Sequence, residues 1–182
     1  MVVISQVYGG GGIGSAPYRN DYVELHNRSA STVSLTNWSL QYSSTTSTGP
    51  WSVVALSGSI DPGGYYLVGL LGSGSGVNPL PTTQATGAFN MTFIAKLAVF
   101  NFANATTGAC PADTPIDFVN LGGSNCTTMG GSGPASTTAS ASFRAAAGCT
   151  DTGTHASDFS LAAPAPRNAS TAAAVCSTTG CN

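Results

Sequence analysis

An all-β fold, a sandwich or barrel of about eight or nine mainly antiparallel strands, is predicted by three features of this sequence. Apolar residues recur at every second position in short runs. Glycine, proline and Asn/Asp clusters separate those runs. No stretch repeats its apolar residues every 3.6 positions over the length of a helix. The composition agrees, because five Lys and Arg and seven Asp and Glu in 182 residues leave solubility to the hydroxyls and amides of Ser, Thr and Asn. A chain of this length can bury about 70% of its unfolded surface around one core, so a single domain spanning 1–182 is expected.

The first run, Val2 to Tyr8, leads into Gly9, Gly11 and Gly14, at the G-x-G-x-x-G spacing of a dinucleotide-binding turn. That turn works only where the glycines open a helix whose N-terminal N–H groups hold a pyrophosphate. Here Pro17 and the alternating Tyr22-Val23-Glu24-Leu25-His26 follow instead, so the segment reads as strand, loop, strand. The glycines then form a flexible connection, open to a partner or to close backbone packing. Val33 and Leu35, then Trp38, Leu40 and Tyr42, alternate about Thr36-Asn37 and read as a short hairpin, with Trp38 as a core anchor.

Residues 43–50 are a polar loop, and Trp51 to Val54 resumes the strand pattern. Leu56 and Ile60 lead to Asp61-Pro62-Gly63-Gly64, a strong turn signal that delivers the apolar run Tyr65 to Leu71 as a central strand. Residues 72–92, rich in Gly, Ser, Pro and Thr, read as a surface excursion. Lys96 to Phe102, Pro115 to Leu121 and Ala141 to Ala145 restore the strand pattern. The expected core includes Val23, Leu25, Val33, Leu35, Trp38, Leu40 and Leu67.

Charge and cysteine content narrow the function. A net charge of −2 and a single lysine, Lys96, argue against direct nucleic-acid binding, which needs a clustered basic surface. Cys110, Cys126, Cys149, Cys176 and Cys181, without a C-x-x-C and with two histidines, fit disulfides and an oxidising compartment better than a zinc site. Residues 1–15 lack a basic region and a cleavable apolar core, and no stretch reaches the length of a membrane span. The chain therefore reads as one whose leader is gone, or as a segment excised from a longer secreted or cell-surface protein, with an abrupt end at Cys181-Asn182.

The order of several motifs carries a resemblance. VVISQVY, NDYVELHN, TVSLTNWSLQY, DPGGYYLVG, IDFVNLG and the closing SFR…GCTDT…DF…PAPRN resemble the lamin tail domain, in particular its bacterial exported branch. The most specific parts are Tyr22-Val-Glu-Leu-His-Asn27 with Val33-x-Leu35-x-x-Trp38-x-Leu40, and Pro164-x-Pro166-Arg167-Asn168. The resemblance implies an immunoglobulin-like β-sandwich. It also implies a non-catalytic module that in bacteria accompanies extracellular nucleases, phosphatases or surface proteins. The loop Asp151 to Asp158 departs from the pattern, since relatives carry more Asn and Asp there.

Several residues could carry chemistry. Asp151 and Asp158 are candidate calcium ligands, although calcium wants six to eight oxygens and Gly153 and His155 stand where donors are needed. Without calcium, Asp158 caps a disulfide-anchored turn, and no other cofactor is expected. Glu24 and His26 share one face of their strand, opposite Val23 and Leu25, where a carboxylate could orient an imidazole. The plainer reading of that face is a solvated one. His155 beside Asp158 offers a second such pair, but Gly72 to Gly76 and Gly130 to Gly133 both miss the register of a nucleophile elbow. Six N-x-[ST] sequons begin at Asn27, Asn37, Asn90, Asn104, Asn125 and Asn168 and matter only in a glycosylating host.

A Cys110–Cys126 bridge would tie the loops entering and leaving the Pro115-to-Leu121 strand, contributing roughly 3 kcal/mol in the chain-entropy model. A Cys149–Cys176 bridge would pin the irregular tail 162–182 against the domain, a pairing that also agrees with the resemblance. Cys181 is left over: free, paired across a dimer, or bonded to Cys176 in place of Cys149. Two functions follow. One is a non-catalytic interaction, targeting or spacer module with a protein or surface partner. The other is a small extracellular hydrolase acting through Glu24 and His26 or His155 and Asp158.

Overall fold

The computed structural model describes residues 1–176, so Cys181 and any bridge it makes lie outside the described residues. Twelve strands account for nearly all its regular structure: β1 (Val2–Tyr8), β2 (Tyr22–Asn27), β3 (Val33–Ser34), β4 (Ser39–Ser44), β5 (Ser52–Ala55), β6 (Ser59–Ile60), β7 (Tyr65–Gly69), β8 (Ala85–Thr86), β9 (Ala95–Phe100), β10 (Asp117–Leu121), β11 (Ala141–Arg144) and β12 (Phe159–Ala162). Three of them, β3, β6 and β8, are two residues long, which leaves nine of four residues or more. The first sheet runs β12-β11-β1-β2-β7-β8, the second β10-β9-β4-β5, and β3 pairs with β6 alone. Every pairing is antiparallel except β7 with β8. The expected all-β sandwich is therefore what forms.

Inward residues follow the period-two reading. Val23 and Leu25 of β2, Tyr66 and Val68 of β7, Leu40 and Tyr42 of β4, and Leu97 and Val99 of β9 share one core between the sheets. In β1 the alternation breaks: Val2 and Ile4 point inward, a register shift lies between Ile4 and Gln6, and Val7 then points inward as well. A bulge of this kind inserts one residue and changes the phase of every later side chain.

Other expectations change. Val33 and Trp38 are only partly buried against the core edge, whereas Trp51 is 2% exposed. Leu67 faces away from the main core and packs with Tyr8, Tyr22 and Ala141 on the outer side of the first sheet. The 33–42 hairpin does not form: β3 pairs with β6 and β4 joins the second sheet, with Asn37 at φ 65° turning the chain between them. Asn tolerates that left-handed conformation, so the turn signal was real but it changes sheets rather than closing a hairpin. A four-residue helix α1 (His155–Asp158) and a 3-10 turn at Ala146–Gly148 occupy a stretch with no helical period.

The glycine loop is packed. A Cβ on Gly11 would lie 2.0 Å from the Asn20 carbonyl carbon, so only glycine permits that approach. Asp21, 2% exposed, holds the same region by accepting the N–H groups of Gly11 and Met91, both at 2.8 Å. Burial pushes its carboxyl up to about 6 against those two stabilising bonds.

Candidate functional site

The outer face of the first sheet collects most of the residues singled out from the sequence. On β2, Glu24 and His26 alternate with Val23 and Leu25 as expected, yet both are 0% exposed. The solvated-face reading is therefore corrected, and the cover is the C-terminal tail. The Glu24 carboxylate accepts from the Arg167 backbone N–H (2.8 Å), from its guanidinium Nη2 (2.7 Å) and Nε, from Ser5 Oγ (2.5 Å) and from Gln6 Nε2 (3.2 Å). Gln6 also exchanges two hydrogen bonds with Ala165 and accepts from the Tyr22 hydroxyl. Arg167 lies 4.1 Å over the Tyr65 ring and donates to its hydroxyl at 2.8 Å. The Pro164-to-Asn168 motif is thus a strap whose arginine caps a buried carboxylate.

His26 stacks on Tyr65 at 4.8 Å, and its Nε2 lies 3.0 Å from the Ala174 carbonyl. Its Nδ1 is buried without a hydrogen-bond partner among the described residues. Burial lowers its pKa below the usual 6.5, so the ring is neutral at pH 7. Glu24 and His26 therefore serve different partners.

A second polar cluster joins the two sheets. Arg144, 2% exposed, donates Nε to the Ile4 carbonyl (2.8 Å) and Nη2 to Asp117 (2.9 Å), while Asp117 accepts the Ile4 N–H at 2.7 Å. Both backbone groups of Ile4, next to the β1 bulge, are thereby satisfied. Burial raises the Asp117 pKa and Arg144 opposes that rise. Asp151 pairs with Arg28 at 2.8 Å and with Arg144 at 3.3 Å. Asp158 accepts the Thr152 N–H with both oxygens and the Thr152 hydroxyl at 2.7 Å, and lies 3.7 Å from Arg144. The two calcium candidates thus converge on a guanidinium that already supplies positive charge.

His155 sits on α1 with Asp158 but binds elsewhere. Its Nε2 is 2.9 Å from the Phe118 carbonyl, and its Nδ1 is 3.1 Å from that of Gly131 and 3.3 Å from the Asn120 N–H. A cavity of about 700 Å³ beside β7 and β8, lined by Asn20, Leu70, Leu71, Leu80, Thr83 and Ala88 among others, contains none of the candidate residues.

The outer face of the second sheet is covered too. Trp51, Phe100 and Phe118 pack with Cys126, and Phe102, Cys110 and Met129 pack against them. The Trp51 indole N–H donates to Gly108, Thr106 donates to Gln41, and Gln41 donates to Asn104. Lys96, 0% exposed, donates to the carbonyls of Ser47 and Ala109 and to Asn125 Oδ1 at 2.6 Å. Burial lowers its pKa. Cys110 is bonded to Cys126 and Cys149 to Cys176, so each cover is fastened by one disulfide.

A family model described as Lamin Tail Domain matches residues 1–114. The chain belongs to the lamin tail domain family. No curated protein and no solved structure matches it. The lamin tail domain is an immunoglobulin-like, non-enzymatic interaction domain, and its matched span here holds β1 to β9 with Glu24 and His26. Arg144, Asp117 and Arg167 lie beyond that span. The sequence assigns them no role, because the Arg144–Asp117 and Arg167–Glu24 pairs join residues 27 and 143 positions apart and no local pattern signals either pairing. Among the described residues, no helix is long and apolar enough to cross a membrane.

Proposed function

We propose that this lamin tail domain is a non-catalytic interaction, targeting or spacer module of a secreted or cell-surface bacterial protein, accompanying a neighbouring domain such as an extracellular nuclease or phosphatase. One observation carries the reading: Glu24, Asp158 and His155 are each committed to holding the fold, and His26 is fully buried against Tyr65. Glu24 is sealed under Arg167, Asp158 caps Thr152, and His155 clasps β10. A general base must reach the proton it removes, and these do not face a cleft. Two disulfides support an oxidising, extracellular setting.

Direct nucleic-acid binding is disfavoured for a structural reason. Of the five cationic side chains, Lys96 and Arg144 are buried and Arg28 and Arg167 are paired with carboxylates, so little charge remains to displace counterions. Asp151 and Asp158 act in this reading as partners of arginine rather than as calcium ligands.

The test is an assay of phosphodiester, phosphomonoester and ester substrates with magnesium, manganese or calcium, alongside calorimetry with calcium alone. Turnover no higher than buffer and no heat at millimolar calcium are expected. Turnover abolished by Glu24→Gln or Asp158→Asn would overturn the module reading in favour of the hydrolase.

A further inference from the structure

We propose that His26, Cys149 and Cys176 form a redox-gated site for a thiolate-seeking divalent cation, with zinc as the best match. One ring nitrogen of His26 and the two sulfurs lie within 4.8 Å of one another. Around a tetrahedral zinc, with Zn–S near 2.3 Å and Zn–N near 2.0 Å, the donors stand about 3.5–3.8 Å apart. Side-chain adjustments of an ångström or two therefore suffice.

The imidazole is set up as a ligand. Its Nε2 is directed at the Ala174 carbonyl, the outer partner that metal-bound histidines use to fix their tautomer. Its Nδ1, buried and without a partner among the described residues, faces Gly148, the residue before Cys149, where a Cβ would come within 2.7 Å of it. Native folds rarely leave such an atom unpaired. A metal held by Nδ1 would satisfy it.

The two cysteines are held in place without their bridge. Cys149 donates its N–H to Ala146 at the end of the 3-10 turn. The tail reaching Cys176 is fixed by Ala174 N–H to Gly63, by Asn168 to Thr82 and by Arg167 to Glu24. Opening the disulfide therefore leaves both sulfurs beside His26.

The chemistry balances simply. A dithiol reductant passes two electrons and two protons to the Cys149–Cys176 bond and becomes a disulfide, leaving two thiols. Zinc then displaces both thiol protons without changing its own oxidation state. Two thiolates and one imidazole leave a fourth position for water or an outside ligand. The covalent clasp on the tail becomes a coordinate one.

The full chain, reduced with a phosphine under inert gas, is titrated with cobalt(II) and then zinc(II). The expected result is a near-ultraviolet thiolate-to-cobalt band saturating at one equivalent, bleached by zinc. Zinc should slow alkylation of Cys149 and Cys176 at least tenfold by peptide mass mapping, but not that of Cys110, Cys126 or Cys181. Cys181→Ser should bind as the parent does, and His26→Asn should weaken zinc at least tenfold while keeping a β-sheet circular dichroism spectrum. No charge-transfer band, protection spread evenly over the five cysteines, or unchanged affinity in His26→Asn would overturn the site. So would loss of the sheet spectrum on reduction that zinc does not restore. If His26→Asn fails to fold, the site stands or falls on the alkylation map of the parent chain.

Discussion

The outer faces of the two sheets solve one problem with opposite chemistry. Each would expose a strand face to water, and each is instead covered by irregular chain fastened with one disulfide. On the second sheet the covered surface is mainly aromatic, with Trp51, Phe100 and Phe118 packed on Cys126, and one ammonium, Lys96, saturated by three oxygens. On the first sheet the centre of the covered surface is ionic, a Glu24 carboxylate under the Arg167 guanidinium. The aromatic cover gains from area removed from water and is insensitive to the exact partner. The ionic cover is specific: it has value only while both charges are present.

The largest expected break in this comparison is Arg167→Ala. It strands the fully buried Glu24, which should cost about 3–5 kcal/mol and lower Tm by roughly 6–20 °C for a chain of this size. Arg167→Lys should recover only part, since an ammonium cannot reproduce the forked contact. Melting of Arg167→Ala within a degree or two of the parent would show that the ionic cover contributes nothing.

A smaller loss is expected on the other face from Lys96→Met. It removes a desolvated charge while leaving the carbonyls of Ser47 and Ala109 and the Asn125 amide oxygen without their donor, a cost of roughly 1–3 kcal/mol. Chemical denaturation measures it. A loss as large as that of Arg167→Ala would mean that the second cover is also held by charge rather than by its aromatic surface.

The finest distinction is in pH. The folded pKa of His26 lies below 6.5, so as pH falls through 6.5 the unfolded chain takes up a proton that the folded one refuses, and stability is lost toward acid. The folded pKa of Lys96 lies below 10.5, so its burial cost is present in full at neutral pH and is relieved as pH rises toward 10.5. The first face should therefore weaken in acid and the second strengthen in alkali. Melting curves of the parent minus those of His26→Asn and Lys96→Met isolate the two windows. A difference curve flat with pH in either case would remove that assignment.

Much of the interior was legible in the sequence because a sandwich core needs only alternation. Val23 and Leu25, Leu40 and Tyr42, and the run from Tyr65 point where period two places them. The same period put Glu24 and His26 together on the opposite face, but it carries no information about what lies above that face. Burial there depends on Arg167, 143 residues away. The hairpin expected about Asn37 does not form for a related reason: a turn signal says that the chain bends, not which sheet receives the next strand.

The sequence by itself determined the all-β class, most strand positions, the poverty of charge and the motif order of the lamin tail domain, since each is written in neighbouring residues. Tertiary structure alone decided that the bulge at Ile4 is capped by Arg144 and Asp117, that Leu67 faces outward, and that the tail seals Glu24. The physical reason is that alternation and turns are local. A buried charge must find its partner through the folded chain, and in a chain with five cationic side chains no local composition marks which one it finds.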